Sequence, residues 1–407
     1  MPTPRVATLR KIFSCKSNDL IDEGIIIWFP APNSYTGEDM AEFHIHGSKA
    51  VIDAMHLTIK SLSFCRLAEP GEFTKIAFQN NKIDLLKAES IGDLIHAETE
   101  LQREQAVNLV QGHASKYYER LREKLVKSLS YIEAKIDFAE DDLPENVLRE
   151  AQSSVKQIYK DIRQIIEDQK IGEKIRDGFR ISIIGDVNAG KSSLLNLLSK
   201  REAAIVSEQE GTTRDVIETY LNIDGYPVIL ADTAGIRKVK NKVEKEGIKR
   251  AIKKAKEADL TLVMVDVSKK KINKDLKKLI NEDCILVFNK SDLGKKTSKN
   301  DFKKNDQILI SVKSNKNIDK LIKLIKGKLS KKFTRGSNIL VTRERHRVKL
   351  NLALKEIEKF LKKDQKKEIE TAAEDLRLAT RHLGSIVGKV DVEEILGSIF
   401  QDFCIGK

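Results

Sequence analysis

One stretch of the sequence matches the phosphate-binding pattern G-x-x-x-x-G-K-S/T, from Gly185 to Ser192. It follows an expected strand, 180–186, and opens an expected helix, 193–198, which is the context that the motif requires. The glycines let the backbone turn tightly, so that its N–H groups can surround phosphate oxygens. Lys191 would place its charge at the β- and γ-phosphates, and Ser192 would offer its hydroxyl to Mg²⁺. The motif predicts a nucleoside triphosphate site.

Two further groups of residues could sense the γ-phosphate. Asp232-Thr233-Ala234-Gly235 follows an expected strand, 228–231, and a carboxylate at a strand end can hold the Mg²⁺ shell. The N–H of Gly235 would face the γ-phosphate. Gly211-Thr212-Thr213 lies in an expected loop, where the Thr213 hydroxyl would join Mg²⁺ only when the γ-phosphate is present.

The sequence Asn289-Lys290-Ser291-Asp292 follows an expected strand, 285–288, and would select the base. The Asp292 carboxylate can accept hydrogen bonds from two donors on one edge of guanine, whereas adenine presents a different pattern there. A buried carboxylate without partners is costly, so ATP should be rejected. Ser311-Val312-Lys313, after the expected strand 308–310, is placed to support the base. The motifs together predict a GTPase.

One position departs from the Ras-like pattern. Ile236 stands where Ras-like proteins have the glutamine that orients the attacking water. Glu244, at the start of an expected helix, could orient the water instead. The helix dipole alone also favours an acid in the first turn of a helix. From these residues alone, we prefer this second interpretation, in which Glu244 has no catalytic role.

Hydrophobic periodicity defines the elements that must position these residues. Residues 1–80 resemble a small α/β region, with proline and glycine marking its turns. Apolar residues recur at helical spacing over 81–173 and again over 332–407. Residues 174–331 alternate strands and helices, as the βαβ units of a parallel sheet do. We expect a P-loop domain inserted into a discontinuous helical domain, because chain termini of an inserted domain lie close together.

Composition narrows the class of protein. The chain has 407 residues, of which 33% are charged, and no apolar run approaches the roughly 20 residues that span a bilayer. The start of the sequence lacks the apolar region of a signal peptide, so we expect a cytoplasmic protein without membrane contact. The four cysteines, Cys15, Cys65, Cys284 and Cys404, show no paired spacing and predict neither disulfides nor a zinc site.

The net charge of +13 has two interpretations. It could mark an RNA-binding surface, or it could follow from lysines spread over solvated faces. Much of the excess lies in 238–256 and 269–278, inside the expected nucleotide domain and without interleaved aromatic residues. Those two runs are more typical of solvated helix faces than of an RNA site.

Several segments resemble one group of GTPases, the Era/MnmE/EngA group. They are VNAGKSSLLN at 187–196, AIVS at 204–207 and GTTRD at 211–215. The chain end, FCIGK at 403–407, resembles the C-terminal motif of the tRNA-modification GTPase MnmE (TrmE) family. The segments PNSYTGED, PGEF and NKIDL, at 32–39, 70–73 and 81–85, also match that family.

The resemblance implies an enzyme that acts with a flavin-bearing partner, MnmG (GidA). The two would install an aminomethyl-type group at C5 of the wobble uridine of certain tRNAs, with FAD on the partner only. It implies that two G domains meet in a homodimer and that K⁺ then takes the role of an arginine finger. The predicted K⁺ ligands are Asn188, Ser207, Gln209 and Thr212. Glu244 falls where the family has its water-orienting acid, and with Lys191 it is the predicted catalytic residue.

The residues predicted to contact GTP come partly from the motifs and partly from the resemblance. They are Asn188, Ala189, Gly190, Lys191, Ser192, Ser193, Ser207, Gly211, Thr212, Thr213, Asp232, Thr233, Ala234, Gly235, Asn289, Lys290, Asp292, Ser311, Val312 and Lys313.

The resemblance also implies a one-carbon tetrahydrofolate site in the N-terminal domain. Glu42, Lys82 and Lys407 match its positions, and Cys404 is either a reactive thiol or a packing residue. The family begins with a strand that carries a folate-site arginine, and roughly forty residues of that pattern precede the first residue here. We therefore expect an incomplete α/β folate domain with an open sheet edge and a weakened dimer.

Two alternatives remain open. One is a ribosome-assembly GTPase of the Era/EngA kind, which a KH-type G-x-x-G loop after the G domain would favour. Gly384-Ser385-Ile386-Val387-Gly388 has a different spacing and lacks a basic pair. The other is a shortened chain that retains only GTPase activity.

Overall fold

The structure, a computed structural model, describes residues 2–137, 146–168, 170–201, 204–205, 218–231, 257–268, 274–294, 306–332, 339–364 and 367–389. The chain forms two compact units. The first comprises Met1–Ile95, Asn108–Tyr159 and Lys349–Lys407, and the second comprises His96–Val107 and Lys160–Val348. The predicted bounds of the three domains, 1–80, 81–173 with 332–407, and 174–331, stay a prediction.

The strands are β1 (Thr8–Phe13), β2 (Leu20–Phe29), β3 (Met40–His44), β4 (Phe179–Gly185), β5 (Ala204–Ile205), β6 (Glu218–Ile223), β7 (Tyr226–Ala231), β8 (Leu260–Asp266), β9 (Cys284–Asn289) and β10 (Asp306–Leu309). The described helices are α1 (Lys49–Lys60), α2 (Glu72–Gln79), α3 (Leu85–Ile95), α4 (Glu100–Val110), α5 (His113–Asp137), α6 (Asn146–Ile166), α7 (Ile171–Asp177), α8 (Lys191–Arg201), α9 (Lys274–Lys277), α10 (Ile318–Lys332), α11 (Glu344–Lys362) and α12 (Ile369–Val387).

The first unit begins with a small antiparallel sheet in the order β1-β2-β3. Helix α1 follows it and packs against β2. The helix starts after Ser48, whose hydroxyl accepts a hydrogen bond from the N–H of Val51 at 3.3 Å, as an N-cap does. Gly71 precedes α2 with a φ of 69°, a left-handed conformation that glycine adopts without strain.

The rest of the first unit is helical, and α5 and α12 pack along each other. Their buried residues follow the three- and four-residue spacing of an amphipathic helix, with Leu121, Leu125 and Ile132 buried on α5. Glu133 and Glu119 of α5 form ion pairs with Arg377 and Lys389, at 2.6 and 2.8 Å. Helices from either side of the inserted segment therefore form one packed unit.

The second unit contains a seven-stranded sheet in the order β10-β9-β8-β4-β7-β6-β5. The strands from β10 to β7 are parallel, whereas β6 pairs antiparallel with β7 and β5 with β6. Every residue of β8 and β9 is buried, as expected for central strands covered on both faces. This strand order, with its antiparallel β6, is that of a Ras-like P-loop G domain. The carboxyl ends of the parallel strands meet at one edge, where such sheets bind their ligands.

A buried arginine joins the beginning of α11 to the segment before β4. The Arg347 guanidinium donates to both oxygens of Glu173, at 2.6 and 2.9 Å, and to Asp168 at 2.8 Å. It also donates to the carbonyl of Ile166 at 2.7 Å. The hydrogen bonds to Glu173 raise the pKa of Arg347 above its ordinary value, although burial opposes the shift. The side chain therefore stays charged and fully partnered, which a buried charge requires.

Candidate nucleotide site

The phosphate-binding motif lies between β4 and α8, where the sequence predicts it. Gly185 ends the strand with a φ of 157°, and a Cβ there would stand 2.4 Å from the carbonyl oxygen of Met264. Gly190 has a φ of 99°, and a Cβ there would stand 2.4 Å from the Asn289 side-chain nitrogen. Both positions require glycine because the neighbouring strands approach the loop closely.

Lys191 begins α8 and turns its ammonium back over the loop. Its Nζ donates to the carbonyl oxygens of Gly185 and Asp186, at 2.9 Å each. A phosphate oxygen is a stronger acceptor for an ammonium group than a carbonyl is. Ser192 follows in the first turn of the helix, where the backbone N–H groups and the helix dipole favour anions.

Asn289, at the end of β9, connects the two ends of the site. Its side-chain N–H donates to the carbonyl of Ala189 at 2.9 Å, and its side-chain oxygen accepts from the N–H of Val312 at 3.1 Å. Asn289 is only 3% exposed and Ala189 is fully buried. One asparagine thus fixes the phosphate loop relative to the loop after β10.

Asp292 lies in the short 3-10 turn after β9, at the opposite end of the site from α8. One carboxylate oxygen accepts from the hydroxyl of Ser311 at 2.6 Å. That hydrogen bond lowers the pKa of Asp292, and the charges of Lys313 and Lys290 lower it further. The carboxylate is therefore ionised at neutral pH and retains acceptor capacity for a ligand.

The structure adds one residue that the motif analysis did not identify, Asp266 at the end of β8. Its carboxylate is 5% exposed and pairs with the ammonium of Lys290 at 2.7 Å. Burial alone would raise the pKa of Asp266, but hydrogen bonds from Lys290 and Ser268 bring it below its ordinary value. Asp266 could have been found in the sequence as an acid at the end of an apolar run, Leu260–Asp266.

A cleft of about 940 Å³ lies within the second unit and is lined by Lys191, Asn289 and Asp292, whereas Asp266 contacts its lining through Lys290. Val187 and Leu293 also line it. The predicted nucleotide contacts that line it are Asn188, Gly190, Lys191, Ser192, Ser193, Asn289, Lys290, Asp292, Val312 and Lys313. Ala189 and Ser311 are buried beside the cleft and support it through the hydrogen bonds described above.

Comparisons with known proteins match this sequence over its whole length. A profile described as GTP-binding protein TrmE N-terminus covers residues 1–82, and one described as MnmE helical domain covers 85–404. The tRNA modification GTPase MnmE of Pelagibacter ubique is 59% identical, with 100% of this chain and 92% of that protein aligned. The protein of the same name from Paramagnetospirillum magneticum is 42% identical, with 100% and 91% aligned. The chain belongs to the MnmE family.

As a member of the MnmE family, a family of tRNA modification GTPases, the chain is a GTP hydrolase. A solved structure of Era from Aquifex aeolicus, bound to GDP·AlF4−, is 28% identical and covers 44% of this chain and 66% of that one. Its TM-score is 0.29.

Many residues that the motifs or the MnmE resemblance predict for the sites lie outside the described residues. They are Ser207, Gln209, Gly211, Thr212, Thr213, Asp232, Thr233, Ala234, Gly235, Glu244, Cys404 and Lys407. Their predicted roles in the site stay predictions.

Two of the predicted folate residues are described. Glu42 lies on β3 and its carboxylate is 3.2 Å from the Nε2 of His44. Lys82 donates to the carbonyl of Pro32 and lies under Gly37, where an added Cβ would be 2.8 Å from its Cε. Lys82 is therefore held against the loop that carries the MnmE-like PNSYTGED segment.

Residues 384–387 lie inside α12 and Gly388 ends it with a φ of 84°. They form part of a helix and not the exposed loop of a KH-type RNA motif. In the parts of the chain that the structure describes, no helix is long and apolar enough to cross a membrane.

Proposed function

We propose that this chain binds GTP with Mg²⁺ in the cleft and hydrolyses it in a K⁺-dependent reaction, coupled to tRNA modification. The observation that supports it most directly is the position of Asn289. Its two hydrogen bonds hold the phosphate loop and the Asp292 end of the cleft at a fixed separation. A site preorganised in this way loses less free energy on binding a nucleotide that has both a base and phosphates.

Asp292 would select guanine. Its carboxylate, oriented by the Ser311 hydroxyl at 2.6 Å, can accept from two donors on one edge of that base. A base that lacks those donors would leave the charge unpaired, and sites of this kind reject such analogues strongly. Ser192 and Thr213 would hold Mg²⁺, and Lys191 would neutralise the β- and γ-phosphates.

The residues near the phosphate loop suit a bound K⁺. Asn188 has a left-handed φ of 65° and lines the cleft beside Lys191. Its side-chain oxygen is a neutral, hard ligand of the kind that coordinates alkali cations. Ser207, Gln209 and Thr212 would complete the coordination. A cation at this place stabilises the charge that develops during phosphoryl transfer, while Glu244 orients the water.

The family supplies the proposed link to RNA. We infer that GTP hydrolysis, in a homodimer of this chain, drives a reaction shared with the flavoprotein MnmG, which carries FAD. The product would be an aminomethyl-type group at C5 of the wobble uridine. Glu42, Lys82 and Lys407 would bind the tetrahydrofolate donor, and Cys404 would position or react near it. The proposed location is the cytoplasm, where the tRNA substrates are.

The K⁺ proposal is tested by GTP turnover in K⁺ and in Na⁺ at equal ionic strength. Wild-type hydrolysis should fall at least tenfold in Na⁺, because loss of one transition-state charge contact is worth about that much or more. Asn188→Ala should be slow in both salts, and Ser193→Ala should retain the K⁺ preference. Equal wild-type rates in the two salts would refute the K⁺ role and leave the GTP site intact.

A further inference from the structure

The outer side of α5 carries four exposed cations, with one acid, Glu123, on the same side. Lys116, Arg120, Lys124 and Lys127 are all exposed and follow one another at spacings of four, four and three residues. That spacing puts them on one side of a helix. At 1.5 Å per residue they span about 17 Å along its axis. These four residues are called the basic face of α5 below.

The four cations of the basic face lie together on one helix without a carboxylate partner among the described residues. Within the described residues, none of its four cations forms an ion pair, and Glu123, on the same side, pairs with none of them. Other exposed cations of this unit do have carboxylate partners: Lys362 pairs with Glu358, Arg377 with Glu133 and Glu374, and Lys389 with Glu119.

The spacing of the basic face works against helix stability. Lys116 and Arg120, and then Arg120 and Lys124, are like charges four residues apart, and such pairs destabilise a helix. The face also carries aromatic surface, because the Lys127 ammonium lies 5.8 Å from the centre of the half-buried Tyr131 ring. Unpaired cations with an adjacent aromatic ring are the side chains that contact RNA phosphates and bases.

We propose that the basic face of α5 binds the phosphate backbone of the tRNA substrate. The proposal rests on the proposed role in tRNA modification, and it assigns a surface to that partner. RNA fits better than an acidic protein because a row of phosphates presents regular negative charge over the length of the helix.

The test is the affinity of the full-length chain for an unmodified tRNA transcript, measured by fluorescence anisotropy between about 50 and 200 mM KCl. Arg120→Gln/Lys124→Gln should weaken binding about tenfold at the upper salt concentration. The slope of log K against log salt should become shallower by about 2, one for each lost phosphate contact. The matched control is Lys320→Gln/Lys323→Gln, which removes from α10 two exposed cations that form no ion pair with any residue the structure describes. It should bind within about twofold of wild type.

The outcomes separate this inference from the proposed function. Equal loss in both double variants would show that only total charge matters and would overturn the assignment of the surface. Wild-type affinity in Arg120→Gln/Lys124→Gln, with an unchanged melting temperature, would overturn it too. If that variant bound tRNA normally but failed to support modification in cells, the face would bind a protein and not RNA. Absence of tRNA binding by the wild-type chain would instead contradict the role in tRNA modification.

Discussion

Replacement of Asn289 by alanine tests the arrangement that holds the nucleotide site together. The change removes two hydrogen bonds, to the carbonyl of Ala189 at 2.9 Å and from the N–H of Val312 at 3.1 Å. Both backbone groups would lose their partner next to a side chain that is 3% exposed. A buried backbone group without a partner costs about 1–3 kcal/mol. If water from the cleft reaches one of the two groups, loss of both hydrogen bonds should cost roughly 2–4 kcal/mol in total.

Most of that free energy should appear in nucleotide binding, because the bound nucleotide must restore the separation that Asn289 fixes. At 1.4 kcal/mol per decade, the Kd for GTP should rise about 30- to 700-fold. The assay is stopped-flow or equilibrium fluorescence with a labelled guanine nucleotide, combined with a thermal melt of the nucleotide-free protein.

The matched control is Asn222→Ala in the same unit. Asn222 also makes two hydrogen bonds to backbone, accepting from the N–H of Gly225 at 2.9 Å and donating to Glu98 at 3.3 Å. It does not line the cleft. It should lower the melting temperature but leave the Kd within about threefold. Equal GTP affinity in Asn289→Ala and wild type would refute the argument that this side chain preorganises the site.

Four further substitutions test other parts of the account. Asp292→Asn should shift preference from GTP to xanthosine triphosphate, measured by competition binding. Glu244→Ala should bind GTP normally but lose hydrolysis in a single-turnover assay. Normal turnover would favour the alternative interpretation, in which Glu244 is an acid that only the helix dipole favours. Arg347→Met should destabilise the protein by about 3–5 kcal/mol in urea unfolding, since it leaves buried carboxylates unpaired, whereas Lys326→Met should cost under about 1 kcal/mol. The pKa of Asp266 is lowered in the folded protein, so its ionised carboxylate stabilises the fold above about pH 4, and this stabilisation is lost as the pH falls further. In Asp266→Asn the free energy of unfolding, measured in urea, should therefore depend less on pH in this acid range.

The strands that precede the motifs were predicted well, and the nucleotide contacts that the motifs imply stay a prediction. The expected strand 285–288 falls within β9, Cys284–Asn289, and the residues after it reach the cleft. Such strands can be predicted from continuous apolar runs, because a central strand is buried on both faces and its residues do not alternate between apolar and polar. The same reasoning did not show that β5, β6 and β7 pair antiparallel, because strand direction depends on connections that no periodicity reveals.

Other features depend on contacts between distant residues. Thr99 and Gln102 cap α4, and the Leu101 side chain enters the core of the second unit although it precedes the inserted segment. The amphipathic pattern of α4 predicts a helix but not the core that it joins. The Asp266–Lys290 pair likewise joins the ends of two strands. The basic face of α5 is recognisable only once the fold shows that its cations are exposed and form no ion pair among the described residues.

The central claim is that this GTPase of the MnmE family takes part in wobble-uridine modification. The most direct measurement is mass-spectrometric nucleoside analysis of tRNA from cells that lack their own MnmE and express this chain. We expect aminomethyl-type wobble uridine to return with the wild-type chain and to stay absent with Glu244→Ala. Unmodified uridine in cells that contain folded, GTP-hydrolysing wild-type protein would contradict it.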